Sequence, residues 1–265
     1  MFGCKCGIVV FAAASLDLLQ LASEVGTFEF WVVMAVDDDD PYFGVTANRD
    51  DVQTYFQARI AAPLERLGVS VSLSLVAFQN DAHKPGPAFN VAAAVAYADG
   101  ADFLFRLNDD TVLGERWASA LVAALVNNDP PLVGVAGPAC TGNRANTDIL
   151  THDFVHRTHL DIFPTYCEQA LFFHTKPHAF APVATQPRKN CVPADPVVLA
   201  DWWMDDWISA VYGNERTCIA TLTTVGHLTS ESRYDVQMGH ACFLEPLIVE
   251  GRQRILAHLA SLSTD

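Results

Sequence analysis

Basic side chains are scarce in this sequence. Its 265 residues include 16 Lys and Arg against 31 Asp and Glu, which gives a formal net charge of -15 at pH 7. Such a field repels nucleic acids and anionic lipid surfaces, so we expect neither as the main partner. It also repels anionic small molecules. A phosphorylated substrate would therefore need a bound cation or a local basic pocket.

Long apolar runs and cysteine pairs with zinc-type spacing are also missing. No stretch reaches the about 18 consecutive apolar residues that indicate a membrane-spanning helix. The seven cysteines show no zinc-type spacing, because Cys4 and Cys6 are separated by a single residue. Their odd number predicts at least one free thiol. A reducing compartment and a secreted protein with a partial set of disulfides both stay open, so the sequence leaves the localisation, lumenal or cytoplasmic, undecided.

The N-terminal segment MFGCKCGIVVFAAASLD allows two interpretations. Its single Lys, short apolar run and small residues are typical of a secretory signal peptide. The alternative is a buried first strand from Ile8 to Ala12. The helix-like LDLLQLASEV that follows favours the strand.

Strand-like and helix-like segments alternate from residue 8 to about residue 140. β-branched and aromatic runs predict strands, and helical periodicity that stops at Gly or Asn predicts helices. The predicted strands are 8–12, 27–36, 69–78, 101–107 and 131–139, and the predicted helices are 50–68, 84–100 and 114–128. This alternation predicts an α/β fold, a Rossmann-type α/β/α sandwich around a mostly parallel central sheet.

Beyond residue 140 the alternation weakens. Pro and His are frequent between 164 and 196, which indicates a long, loop-rich segment. A helix is predicted to start within DWWMDDWISAVYG, residues 201–213. An amphipathic helix, EPLIVEGRQRILAHLASL, closes the chain at 245–262.

Acidic residues follow two of the predicted strands. Asp37 to Asp40 come directly after the strand at 27–36, and Asn108, Asp109 and Asp110 follow the strand at 101–107. Ligands of open α/β sheets bind outside the carboxyl ends of the strands, so both groups should face one crevice. A divalent cation would offset the repulsion between the carboxylates and leave positions for substrate phosphates. The alternative is that these residues are solvated turn and N-cap residues.

The order of these features resembles a known family. Five features follow one another along the chain. They are an Asp cluster, the small-residue helix GPAFNVAAAVAYADG, the Asn108-Asp109-Asp110 motif, the acid pair in the Trp-rich segment WWMDDW, and a later His. This set is similar to the nucleotide-sugar-dependent glycosyltransferases of the GT-A fold, whose metal motif is Asp-x-Asp. The resemblance covers roughly residues 8 to 236. It implies one GT-A-like domain, with a nucleotide-binding half at 1–140 and an acceptor-side half with the C-terminal helix at 141–265.

The resemblance also implies a metal site and its surroundings. Asp110 would hold Mn²⁺ or Mg²⁺ together with His227, for which His240 is the alternative. The first motif position is Asn108 instead of an acid, so Asp109 would contact ribose or sugar.

Further donor-side residues follow from the same comparison. Asp37 or Asp38 would bind the nucleoside and Lys84 a phosphate, while Asn90 would contact the base. Lys84 as an exposed loop residue and Asn90 as an ordinary polar helix residue are the alternatives.

The acceptor side is placed on the Trp-rich segment. Asp206 would act as the general base of an inverting reaction, with Asp205 beside it, and a carboxylate among aromatic residues is partly desolvated, which suits that role. The alternative is helix N-terminal charge. Trp202 and Trp203 would stack on a sugar ring or belong to the core.

Three histidines, His152, His156 and His159, offer a separate possibility. Their spacing would allow one helix face to carry all three, as in a zinc site, although loop or packing roles are the alternative.

The resulting hypothesis is a metal-dependent glycosyltransferase. It would move a sugar from a UDP- or GDP-sugar to a hydroxyl of a glycan, protein or small-molecule acceptor. The two alternatives are a non-catalytic carbohydrate-binding protein of the same fold and a nucleotidyltransferase, which would release pyrophosphate.

Overall fold

A computed structural model describes most of the chain. It describes the backbone of residues 4–11. It describes both backbone and side chains of residues 20–24, 28–81, 83–108, 110–141, 149–167, 203–228 and 241–263. Asp109, Trp202 and His240 therefore lie outside the described residues, as does most of the predicted loop-rich segment.

One eight-stranded sheet forms the centre of the described structure. Its strands lie in the order β3-β2-β1-β4-β7-β6-β8-β5. The neighbours β3-β2, β2-β1, β1-β4 and β6-β8 are parallel, whereas β4-β7, β7-β6 and β8-β5 are antiparallel. The strands are β1 Cys4–Phe11, β2 Phe28–Asp37, β3 Ser70–Phe78, β4 Phe103–Asn108, β5 Thr111–Leu113, β6 Val135–Cys140, β7 Phe154–His156 and β8 Thr217–His227.

Helices flank the sheet. The first, α1, continues through a π-helical turn, Gln57–Ala61, into α2, and a short 3-10 turn spans Leu21–Glu24. The α-helices are α1 Thr46–Phe56, α2 Ala62–Glu65, α3 Pro85–Ala98, α4 Trp117–Val126, α5 Thr158–Ile162, α6 Trp203–Val211 and α7 Ala241–Leu262. No helix in the described ranges is long and apolar enough to cross a membrane.

The fold class predicted from the alternating pattern is confirmed. All five predicted strands and the predicted helices are present, with ends displaced by a few residues. Helix α4 begins at Trp117 because Arg116 adopts a left-handed backbone conformation, with φ 54°. The strand predicted from 131 begins at Val135, after a turn in which Leu132 has φ 69° and Gly134 has φ 155°.

Several elements were not anticipated. The short strands β5 and β7 and the long strand β8 supply the antiparallel part of the sheet. The three histidines do not share a helix face: His152 precedes β7, His156 ends it and His159 lies in α5. The structure therefore excludes the possibility of a shared helix face, and the alternative of loop or packing roles remains.

Two apolar cores lie on opposite faces of the sheet. Along β4, Phe103, Phe105 and Leu107 pack into one core with α4 and the π-helical segment. Leu104 faces the other core, which α3, α6 and α7 complete. This alternation of side chains along a strand, with helices on both faces, produces the three-layer α/β/α arrangement.

Candidate metal and nucleotide site

The acidic strand ends meet at one edge of the sheet. Strands β2, β1 and β4 are parallel neighbours, and Phe11 of β1 pairs with both Ala35 of β2 and Asn108 of β4. Asp37 lies two residues beyond Ala35 at the end of β2. Because one strand separates β2 from β4, the two strand ends are about 10 Å apart. The topology thus brings both acidic groups to the same sheet edge, as the sequence predicts.

Asp110 and His227 form the first group at this edge. Strand β5 begins directly after Asp110 and pairs antiparallel with the end of β8, with Thr111 opposite His227. The Leu228 amide donates a hydrogen bond to the Asp110 carbonyl at 2.9 Å. His227 Nδ1 consequently lies 3.5 Å from Asp110 Oδ1, and both side chains keep partial exposure, 20% and 13%. The backbone register therefore joins two residues that are 117 positions apart.

His152 supports this pair from the protein interior. Its ring lies beside that of His227, with centroids 5.0 Å apart, and its Nε2 is 3.2 Å from Thr111 Oγ1. Burial lowers the pKa of His152 well below its ordinary value, and the nearby His227 adds to the effect. A neutral ring therefore packs against His227. The sequence predicted either a zinc ligand or a loop or packing role for His152, and nothing in the local sequence places it beside residue 227.

A second group of possible ligands lies at the end of β2. His83 Nδ1 is 3.8 Å from Asp37 Oδ2, and His83 Nε2 is 3.9 Å from Asp39 Oδ2. One ligand atom from each of these three residues lies within 4.8 Å of the others. The buried Asn80 donates a 2.8 Å hydrogen bond to Asp37 Oδ1, which orients that carboxylate. Asp39 and His83 were missed, since an acid in a run and a loop His carry no distinctive sequence signal.

The rest of the acidic run has turn contacts. The Asp38 side chain is exposed, while its amide donates to the Phe78 carbonyl at 3.0 Å. Asp40 Oδ1 accepts hydrogen bonds from the amides of Tyr42 and Phe43, both at 2.8 Å. Asp40 therefore has the turn role that was the alternative for this run, and Asp37 is the member held at the strand end.

Lys84 precedes α3, and Asn90 lies in the second turn of that helix. Lys84 immediately precedes the helix and its carbonyl accepts a 3.1 Å hydrogen bond from Asn80. Asn90 Oδ1 accepts from the Cys167 amide at 2.6 Å, and its Nδ2 donates to the Cys167 carbonyl at 3.2 Å. The Asn90 side-chain amide thus joins α3 to the segment after α5, a structural role that the sequence did not suggest.

A buried ionic network lies beneath the Trp-rich helix. The Arg106 guanidinium on β4 pairs with Asp153, and its Nη2 is 2.6 Å from Asp205 Oδ1. The latter contact is an ion pair without the directionality of a good hydrogen bond. Tyr166 donates a 2.6 Å hydrogen bond to Asp153 Oδ2. Arg106 was overlooked because an Arg inside an apolar strand gives no sign of which side chains lie above it.

The two acids of α6 differ in their surroundings. Burial raises the pKa of Asp205 to about 7, although the Arg106 cation opposes the rise. Asp206 is half-buried, and burial raises the pKa of its carboxyl as well. Trp203 packs against the apolar core of α3, α6 and α7. That packing favours a core role for Trp203 over stacking on a sugar ring.

Comparisons with known proteins give structural neighbours only. No protein-family model and no curated protein matches this chain. A crystal structure of the catalytic domain of Drosophila β1,4-galactosyltransferase 7 with xylobiose is similar at TM-score 0.42 and 12% identity, over 90% of this chain and 78% of that chain. A mutant of that enzyme with manganese, UDP-Gal and xylobiose gives TM-score 0.30 and 14% identity, over 60% and 51% of the two chains.

A third neighbour belongs to another class of enzyme. The 4-diphosphocytidyl-2C-methyl-D-erythritol synthase of Anaerococcus prevotii is similar at TM-score 0.43 and 10% identity, over 96% of each chain. The neighbours thus include glycosyltransferases, the class that the sequence motif resembles. At these identities and scores they assign no activity to this chain.

Proposed function

We propose that this protein is a metal-dependent glycosyltransferase that uses a nucleotide-diphosphate sugar. The observation that carries the proposal is the Asp110–His227 pair, held at 3.5 Å on the sheet edge that also bears Asp37. Donor binding is assigned to the half at 1–140 and acceptor binding to the half at 141–265.

The residues at the edge suit a hard or borderline divalent cation. A carboxylate and an imidazole offer oxygen and nitrogen ligands of the kind that bind Mn²⁺ or Mg²⁺. Both side chains remain partly exposed, so substrate oxygens could complete the coordination. A bound cation would neutralise charge on the diphosphate leaving group. The net charge of -15 supports this requirement, because the protein otherwise repels a diphosphate.

The chain's own residues would then have distinct tasks. Asp37, oriented by Asn80, binds the nucleoside on the far side of β1. Asp206 accepts the proton of the acceptor hydroxyl as that oxygen attacks the anomeric carbon. The attack and the departure of the diphosphate occur on opposite faces of the sugar, so the configuration inverts.

The group of Asp37, Asp39 and His83 is the competing cation site. It provides three ligand atoms, but the Asp39 and His83 side chains are each 64% exposed. Exposed carboxylates are well solvated and lose that hydration on binding a cation, whereas Asp110 and His227 are already largely desolvated. We therefore assign the catalytic cation to Asp110 and His227.

Calorimetry with a nucleoside diphosphate, with and without Mn²⁺, tests this assignment. Asp110→Asn should abolish the Mn²⁺-dependent part of binding while thermal unfolding stays close to wild type, because the residue lies at a strand end. Asp39→Asn is the matched control and should keep metal-dependent binding. The opposite result for the two variants would move the cation to the end of β2.

A screen of UDP- and GDP-sugars tests the reaction itself. Metal-dependent release of a nucleoside diphosphate, with the sugar appearing on an acceptor, is the expected outcome. Release of pyrophosphate in the presence of a sugar phosphate and a nucleoside triphosphate would indicate a nucleotidyltransferase instead. Sugar binding that needs neither nucleotide nor metal would indicate a carbohydrate-binding protein.

A further inference from the structure

Arg106 is a charged residue in the middle of a buried strand. Its residue exposure is 2%, and its guanidinium lies 5.3 Å from the centre of the Phe89 ring of α3. Asp153, which is fully buried, and Asp205 at the start of α6 are its ionic partners. One side chain therefore contacts α3, the residue before β7 and the start of α6.

The strand that carries Arg106 also leads to the candidate metal ligand. Asp110 follows Arg106 by four residues, at most about 13 Å of extended chain. Asp205 precedes Asp206, the proposed base, in the first turn of α6. The Arg106–Asp205 contact thus links β4, the strand that leads to Asp110, with the helix turn that carries the proposed base.

Stability alone does not explain this arrangement. Removing an Arg and two carboxylates from water is costly, and well-packed apolar residues in place of a buried ion pair are often as stable or more so. The planar guanidinium does provide something that apolar side chains lack, because its rigid fork keeps two carboxylates within ion-pair distance of a single charge. Asp153 already has Tyr166 as a second partner, so its orientation is set independently of α6.

We propose that Arg106 is a positioning residue. It fixes the first turn of α6, and with it Asp206, relative to β4, the strand that leads to Asp110. The proposal rests on the proposed function. Arg106 would touch neither substrate nor cation. It acts through Asp205, whose backbone places the neighbouring base.

Arg106→Lys is the informative substitution, because it keeps the positive charge and loses the fork. The assay is run at pH 8, where Asp205 is mostly ionised. We expect a folded protein that binds a nucleoside diphosphate with Mn²⁺ within about threefold of wild type. Its kcat should fall at least about tenfold, since a misplaced base slows the chemical step. Asp205→Asn should lower kcat similarly, and the double variant should lose little more than either single one.

Arg252→Lys is the matched control. Arg252 donates a 2.8 Å hydrogen bond to the Ala210 carbonyl at the other end of α6, so it fastens the same helix away from the acids. It should leave kcat within about twofold of wild type. A wild-type kcat in Arg106→Lys would overturn the proposal. So would a fall in kcat that only follows a loss of folded protein or of nucleotide binding.

Hydrogen exchange gives a readout that does not depend on activity. In Arg106→Lys, amides at 203–211 should exchange faster while those at 111–113 and 217–227 stay unchanged. Unchanged exchange in α6 would refute the positioning role even if transfer is observed. If wild type transfers no sugar but α6 still loosens, the mechanical link stands and the glycosyltransferase assignment is the part that fails.

Discussion

Asp205 and Asp206 are adjacent in sequence yet have different chemical surroundings. Asp205 faces the buried guanidinium of Arg106, whereas Asp206 is half-buried in the first turn of α6. A base must reach the acceptor hydroxyl, and the Asp205 oxygen nearest Arg106 is buried. These surroundings support Asp206 as the proposed base and Asp205 as its anchor.

Asp206→Asn should lower kcat by at least about a hundredfold, because general-base catalysis contributes roughly 10² to 10⁴-fold. Donor binding with metal should survive, since the base faces the acceptor. In wild type, kcat should fall as the pH drops through the raised pKa of Asp206, because only the ionised form accepts a proton. Steady-state kinetics across pH measure both effects.

The kinetic comparison also distinguishes the two acids. Asp205→Asn alters the position of the base but leaves it present, so the acid limb of the pH profile should persist in that variant. A dead Asp205→Asn beside an active Asp206→Asn would reverse the two roles. Full activity of both variants would show that the two acids only provide negative charge at the start of the helix.

Asp205 should also affect the pH dependence of stability. Burial raises its pKa from the ordinary value of 3.8 to about 7 in the folded protein, so the folded state holds this proton more tightly than the unfolded state does. The resulting stabilisation is complete below about pH 4 and is lost as the pH rises through about 7. Relative to Asp205→Asn, wild type should therefore lose up to about 4 kcal/mol of unfolding free energy over this range. Urea unfolding of both proteins at pH 4.5 and 8 measures the difference, and parallel pH profiles would contradict it.

Helices α6 and α7 pack closely at one small residue. A Cβ at Gly251 of α7 would lie 2.5 Å from Val211 Cγ2 and 3.3 Å from a ring carbon of Phe163. The indole of Trp207 donates to the Leu247 carbonyl at 3.4 Å in the same interface. The absence of a side chain at 251 thus sets how near α7 approaches the helix that carries the two acids.

Gly251→Ala should destabilise the protein by about 1 to 3 kcal/mol, because overpacking outweighs the gain in helix propensity. Leu256→Ala, at a 64% exposed position of the same helix, is the control and should change stability by less than about 0.5 kcal/mol. Chemical unfolding provides the measurement. A stabilised Gly251→Ala would show that the two helices separate easily.

At the scale of the whole molecule, the sheet divides the apolar interior into two cores. Trp117 is fully buried in the core on the α4 side, where its ring lies 5.7 Å from Phe30, 4.8 Å from Phe105 and 6.5 Å from Phe154. These three residues belong to β2, β4 and β7. A single side chain from α4 thereby packs across three strands, two of which end at the candidate site.

Trp117→Ala should cost about 3 to 5 kcal/mol of unfolding free energy, since it leaves a large cavity beneath the sheet. Leu222→Ala replaces a residue of β8 that is 90% exposed and should cost less than about 0.5 kcal/mol. Thermal and urea unfolding would compare the two. Similar losses would mean that the surface at Leu222 is covered in solution.

The local pattern of the sequence was sufficient for much of the architecture. Alternating strands and helices predicted the α/β fold because side-chain periodicity reports directly on which faces are buried. Gly68 and Gly100, both with positive φ, follow the helices whose ends they were predicted to mark. The strands that end at Asp37 and Asn108 are parallel, so both residues lie at the same edge of the sheet. The alternation of strands and helices in the sequence predicts this strand direction.

Only the tertiary structure decided which distant side chains meet. His227 reaches Asp110 through the antiparallel pairing of β5 with β8, and pairing between strands more than 100 residues apart has no local signature. His83 beside Asp39 and Arg106 beneath Asp205 depend likewise on long-range packing. The sequence by itself determined the elements and the chemistry that they carry, because propensity and periodicity act between near neighbours. The partners of each charged group were determined by the fold, because burial and electrostatics act through space.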